Sequence, residues 1–237
     1  MRFNIFTFIF IFISTVAFGQ DDNEKTSPWN DIPGNLWGEV GFTFVLDKPD
    51  SVDSNWWASK RAQFNYQIEL PLGKNSGITF HPGIGVAVEK HSYKNNQVFL
   101  DTGDETIFTS AADYVGGGVK KSGFYTTYID VPLEFMWHLN KSDYRRSFKV
   151  GLGGYFGYAL ESKTKIKYET AGDTRKFQEK SDYGIESFRY GGVVKIGFGG
   201  VMAYYRHNFS KIFKESEAPE QFINATQSSA GVAFRIF

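Results

Sequence analysis

Residues able to do chemistry are few in this chain, and they are scattered. Four histidines occur, His81, His91, His138 and His207, and there is no cysteine, which removes thiol nucleophiles, disulfides and cysteine-ligated metals. A histidine beside a serine would suggest hydrolysis, because imidazole can take the hydroxyl proton. "RHNFS" offers His207 and Ser210, but strand residues an odd number apart point to opposite faces. Phe209, two beyond His207, takes the position where a serine would be needed, and no acid falls on an obvious neighbouring strand. No catalytic residue is assigned, and no enzymatic activity is expected. His81 and His138 fall on the polar face of their strands with Glu69 or Glu134 as the type of neighbour, and polar packing is their expected role; His91 opens a loop. "DTGDE" gathers Asp101, Asp104 and Glu105 in one turn without the spacing or terminal bidentate glutamate of a calcium loop. No metal site and no cofactor are assigned. Lys163, Lys165 and Lys167 share one strand face and suit either solvent or lipopolysaccharide phosphate groups.

These side chains must be positioned by some scaffold, and composition bounds it. Lys plus Arg equal Asp plus Glu at 26 each in 237 residues, so no basic excess draws in nucleic acid. The N-terminus, "MRFNIFTFIFIFISTVAFGQ", has a basic Arg2, an apolar core from Ile5 to Phe18 and a small-residue cleavage site at Ala17-Phe18-Gly19. Residues 1–19 therefore read as a signal peptide. Residues 20–35 are polar, with Pro28 and Pro33, and read as a flexible periplasmic lead-in. An exported chain without disulfides needs another source of rigidity, and a closed sheet supplies one.

From 36 to 237 the sequence reads as one β domain. "FKVGLGGYFGYALE" divides alternately into a mostly apolar set (Phe148, Val150, Leu152, Gly154, Phe156, Tyr158, Leu160) and a set rich in glycine (Lys149, Gly151, Gly153, Tyr155, Gly157, Ala159, Glu161). That period of two marks a strand with unlike surroundings on its two faces. The same alternation predicts eight strands, at about 36–46, 56–72, 77–90, 124–139, 147–161, 185–198, 200–210 and 227–237. Connections alternate in length: "GKNS", "NKSDYRR" and Gly199-Gly200 are short, whereas 47–55, 91–123, 162–184 and 211–226 are long. Tight turns at one end and long loops at the other are the habit of outer-membrane barrels.

Alternation alone leaves open which face is inside, since a soluble ligand-binding barrel puts its apolar face inward. Three features favour lipid outside: small residues such as Gly83, Gly85, Gly191 and Gly231 on the polar face, aromatics such as Trp56, Phe64, Tyr66, Trp137, Tyr158, Tyr190 and Tyr205 on the apolar face, several near strand ends, and a terminal strand "AGVAFRIF". The polar face then carries six acids (Glu39, Glu69, Glu89, Asp130, Glu134, Glu161) and six bases (Arg61, Lys149, Arg189, Lys195, Arg206, Arg235). An eight-stranded barrel is just wide enough for side chains to fill it. The expectation is an all-β, eight-stranded antiparallel up-and-down transmembrane barrel, monomeric, with a salt-bridged lumen, long extracellular loops and short periplasmic turns. A small channel or transporter is the alternative.

"IDVPLEFMWHL", "KVGLGGYFGYALESKTKIKY", "FRYGGVVKIGFGG" and "YYRHNFSKIFKE" are similar to the PorT-like outer-membrane β-barrel family of Bacteroidetes. The resemblance covers the C-terminal half well and the first three strands only in pattern. It implies location in the outer membrane with a periplasmic N-terminus, contact with lipid and lipopolysaccharide, and a link to secretion or envelope proteins. It brings no catalytic residues. Separately, the place of His207 resembles that of the outer-face histidine of membrane-embedded lipid A deacylases, but the serine spacing departs from theirs. The terminal Phe237 falls on the lumen side by parity unless the strand slips by one residue.

Overall fold

The computed structural model describes residues 34–236 apart from 50, 51, 75, 104, 117 and 145. The expected signal peptide, all but the last two residues of the lead-in, Asp104 and Phe237 lie outside the described residues. Among the described residues twelve strands form in chain order: β1 (Asn35–Leu46), β2 (Lys60–Gln67), β3 (Leu70–Pro71), β4 (Ile78–His91), β5 (Gln97–Asp101), β6 (Thr106–Ser110), β7 (Gly118–His138), β8 (Phe148–Thr170), β9 (Asp173–Ser181), β10 (Phe188–Phe198), β11 (Val201–Asn208) and β12 (Thr226–Arg235). One short α-helix among the described residues, α1 (Ala111–Val115), follows β6.

Eight strands make the barrel, in the order β1, β2, β4, β7, β8, β10, β11 and β12. Each is antiparallel to both neighbours, and closure runs from Trp37 opposite Arg235 to Leu46 opposite Thr226. The barrel pairs every edge it has, which removes the open hydrogen-bonding groups of a flat sheet. These are the eight strands the alternation predicts, with shifted ends. The second predicted strand, 56–72, starts too early. Residues 56–58 form a turn because Asn55 intercepts the backbone, its carbonyl accepting from the Ser59 N–H at 3.0 Å. Trp56 and Trp57 leave the ladder and pack on Phe42, with ring centroids 5.6 and 5.2 Å away.

Two of the long connections are folded. Within 91–123, β5 and β6 pair as a hairpin and β7 begins at Gly118. Within 162–184, β8 continues to Thr170 and turns back as β9 through Ala171 and Gly172, both at positive φ. A two-residue turn with both φ values positive matches the twist of a hairpin. Val98, Leu100, Ala111 and Ile166 form the buried seam between these pieces.

One irregularity resets the faces. Thr127 lies opposite Glu161 but Tyr128 lies opposite Ala159, so Leu160 is an extra residue, a β-bulge. A single inserted residue inverts every later side chain. Beyond it Ser162, Thr164 and Ile166 turn inward and are buried. Glu161, expected in the lumen, is instead on the outer side of the hairpin, paired with Lys163 and Lys180. Burial pushes its carboxyl up, but hydrogen bonds from those two lysines outweigh this and hold it below its ordinary value.

Candidate functional site

The inward face at mid-barrel is an ion-pair network. Glu39 on β1 meets Arg61 at 3.0 Å, Lys195 at 2.8 Å and Arg206 at 3.3 Å. Asp130 on β7 receives a two-pronged contact from Arg189, Nε to Oδ1 at 3.0 Å and Nη2 to Oδ2 at 2.8 Å. Glu89 on β4 accepts from Arg61 at 3.1 Å, Arg189 at 2.9 Å and the Gln227 amide at 2.7 Å. Glu134 shares Lys195 at 2.8 Å. Four acids and four bases are all buried, so each charge depends on its partners rather than on water. Tyrosine rings back the cations: Arg189 lies 3.5 Å from the centre of Tyr128 and Arg206 lies 4.6 Å from Tyr155, within cation–π range. With Gln227 from β12 and Tyr155 from β8, every barrel strand contributes a group.

The glycine-rich polar face now has a reason. A Cβ on Gly157 would stand 2.9 Å from Arg189 Cγ, and one on Gly41 would stand 2.6 Å from the Tyr204 hydroxyl. Glycines open the wall where a long polar side chain from a neighbouring strand lies flat across it. Of the twelve charges expected inside, eight form this network. Lys149 is buried nearer the short-turn end, Arg235 is half-buried there, Glu69 faces His81 and His138, and Glu161 is outside.

At the long-loop end the opening is covered by aromatic residues. Tyr93, Phe99, Phe124, Tyr183, Phe213 and Phe222 pack into one buried cluster with Val45 and Val52. Phe99 sits at its centre, 5.0 Å from Phe222 and 5.1 Å from both Phe124 and Phe213 by ring centroids. The cavity beneath has a volume of ≈ 10 Å³, about the space of a single water. Burial raises the Tyr93 hydroxyl well above its ordinary value, so it stays neutral under the cap.

The outward face is a belt of apolar side chains. Ile84, Val131, Leu152, Phe156, Val194, Ile196 and Val232 are among its exposed members. Trp137, Phe198 and Val201 border it at the short-turn end, and Tyr158, Phe188, Tyr190, Tyr205 and Phe209 border it at the other. Among the described residues no helix is long and apolar enough to cross a membrane; this belt belongs to strands.

The remaining candidates resolve differently. His207 Nδ1 lies 2.8 Å from the hydroxyl of Ser228 on β12, not Ser210, a cross-strand partner that spacing within "RHNFS" could not reveal. The Tyr205 hydroxyl shares that serine at 3.0 Å, and Ser228 is only 3% exposed. Asp101 is held by Ser181 and by the Gly103 N–H at 2.8 Å. The Ser181 and Gly103 bonds lower its carboxyl below the ordinary value. His81 and His138, 57 positions apart, lie on the adjacent strands β4 and β7, where His81 is opposite Glu134; both rings meet at Thr79, and Glu69 joins them.

A closed antiparallel barrel with an apolar outside, aromatic borders and a charged inside is a membrane-spanning β-barrel. The chain belongs to the family of the outer membrane protein beta-barrel domain, whose model matches residues 23–214. Its long-loop end is accordingly extracellular and its short turns periplasmic. No curated protein matches it. Among solved structures, Ail, the attachment invasion locus protein of Yersinia pestis, is similar at 12% identity over 86% of this chain and 97% of that one, with a TM-score of 0.36. A triple mutant of the Rhodopseudomonas blastica porin matches at 12% identity, covering 86% and 99%, with a TM-score of 0.21. The Salmonella typhi outer membrane phospholipase dimer with bound calcium matches at 11% identity, covering 89% and 94%, with a TM-score of 0.25.

Proposed function

We propose that this outer-membrane barrel is an interaction protein with a plugged lumen, not a conduit and not an enzyme. The lumen network carries the reading: eight charges locked on one another across the barrel leave no continuous wet path. The aromatic cap above them supports it. A hydrolytic role for His207 is disfavoured by the shielding of Ser228, which no lipid ester could reach without a rearrangement. The finer assignment to the PorT-like group, and with it service to protein secretion, rests on the C-terminal motifs now placed on β7, β8, β10 and β11. Planar-bilayer recording with the purified barrel tests the plug. The expected result is an insulating bilayer, and steady, reproducible conductance steps would support the channel alternative instead.

Contact with lipopolysaccharide is part of the same proposal. Just beyond the belt, the register sets Lys60 opposite Lys90, Lys121 opposite Lys167, and Lys167 opposite Lys176. Like charges directly opposite destabilise a sheet, and phosphate groups at this level would reverse that cost. Replacing Lys121, Lys167 and Lys176 together by Gln is expected to stabilise the barrel in detergent and to reduce its retention of lipopolysaccharide. Unchanged retention would remove lipopolysaccharide from the proposal.

A further inference from the structure

We infer a binding site for a divalent transition-metal ion, of which zinc is the type, at the periplasmic mouth of the lumen, formed by Glu69, His81 and His138. One ring nitrogen from each histidine and one carboxylate oxygen of Glu69 all lie within 4.8 Å of one another. Glu69 follows β2, His81 is on β4 and His138 ends β7, where its N–H donates to the Gly77 carbonyl at 2.7 Å. Both histidines are 3% exposed while Glu69 is half-buried, so the site has a floor of imidazoles and a door of carboxylate.

Thr79 gives the second observation. Its hydroxyl lies 2.7 Å from His81 Nε2 and 2.8 Å from His138 Nε2. A hydroxyl carries one hydrogen and can donate to only one of the two rings. At least one imidazole must therefore donate its own Nε2–H to Thr79, and as a neutral ring it then has a bare lone pair on Nδ1. His81 Nδ1 is buried without a hydrogen-bond partner. His138 is less bare: its Nδ1 has no hydrogen bond of good geometry, but the Tyr144 backbone is a hydrogen-bond partner of its ring, and the Tyr144 ring stacks on the imidazole at 4.4 Å. An unpaired buried nitrogen is costly, and a metal ion would use it.

Two imidazoles and one carboxylate with an open position form a familiar zinc donor set, the remainder being supplied by water. Thr79 would act as the outer partner that fixes ring orientation. Lys149, buried and an electrostatic neighbour of Glu69 and both histidines, is the group a cation must compete with. The site is reached from the periplasm, so it stands whether or not the lumen above is sealed.

The test uses the untagged, full mature barrel in detergent, stripped with chelator and titrated with Co²⁺, then with Zn²⁺. The expected result is a visible Co²⁺ band that saturates at a single equivalent and is displaced by Zn²⁺. His81→Ala and His138→Ala should each abolish the band. Thr79→Val should weaken binding about 10–100-fold, the usual cost of losing an outer partner. Lys149→Met should tighten it. Folding of each variant is read from its heat-dependent gel mobility; if a histidine variant fails to fold, Glu69→Gln at the half-exposed position carries the test by the same loss of band. No saturable binding, or a band unchanged in these variants, would overturn the site.

Discussion

Glu39→Ala is expected to destabilise the barrel by about 3–5 kcal/mol, the range for removing one partner from a buried charge cluster. Arg61, Lys195 and Arg206 all depend on this carboxylate, and Asn65 donates to it at 3.2 Å. Its loss leaves four buried cations facing three acids. The measurement is urea unfolding of the lipid-embedded barrel, followed by tryptophan fluorescence and by heat-dependent mobility. A double variant, Glu39→Gln with Arg206→Met, should recover a measurable part of the loss, because it restores the charge balance. A cost below about 1 kcal/mol, the level of an exposed pair, would mean that water reaches the network, and the plugged-lumen proposal would fail with it.

The second large effect tests the outer face. Leu152 is 60% exposed and lies between Phe135 on β7 and Val194 on β10, both also exposed. Leu152→Arg should therefore cost about 2–4 kcal/mol if the residue sits near the bilayer midplane. Gly151→Arg should also destabilise, but through crowding, since a Cβ there already meets Met136 Sδ at 2.6 Å and Lys195 Cβ at 3.2 Å. Rescue separates the two mechanisms. A new acid on a neighbouring inward position should recover some stability in Gly151→Arg and none in Leu152→Arg. A spin label at position 152 should be relaxed by oxygen dissolved in lipid and shielded from an aqueous nickel chelate. Shielding from both reagents would mean that the apolar face is an interior.

Local patterning decided much of this protein before any contact formed. Alternation with period two is a property of neighbouring residues, so "FKVGLGGYFGYALE" specifies both a strand and its two faces. Eight such segments, joined by turns of alternating length, leave little choice but an up-and-down barrel. The two extracellular hairpins are missing from the strands that alternation predicts, which leave 91–123 and 162–184 as long connections, although "QVFLDTGDETIFTS" and "KYETAGDTRKF" carry β-rich runs around glycine-containing bends.

The tertiary structure alone decided what is joined to what. The bulge at Leu160 inverts the faces of β8, and nothing in the residues around it announces one extra position. The partners of Glu39 come from β2, β10 and β11, distances along the chain that no spacing rule spans. His207 finds Ser228 because strand register lays them side by side, and His81 meets His138 only because both rings lean onto Thr79 from adjacent strands. Away from that bulge, sequence determines which way a side chain faces, because that is set by the backbone of its own strand. Which charges neutralise one another, and which nitrogens are left bare, depends on closure, because only the closed barrel brings the inward faces of all eight strands into one narrow space.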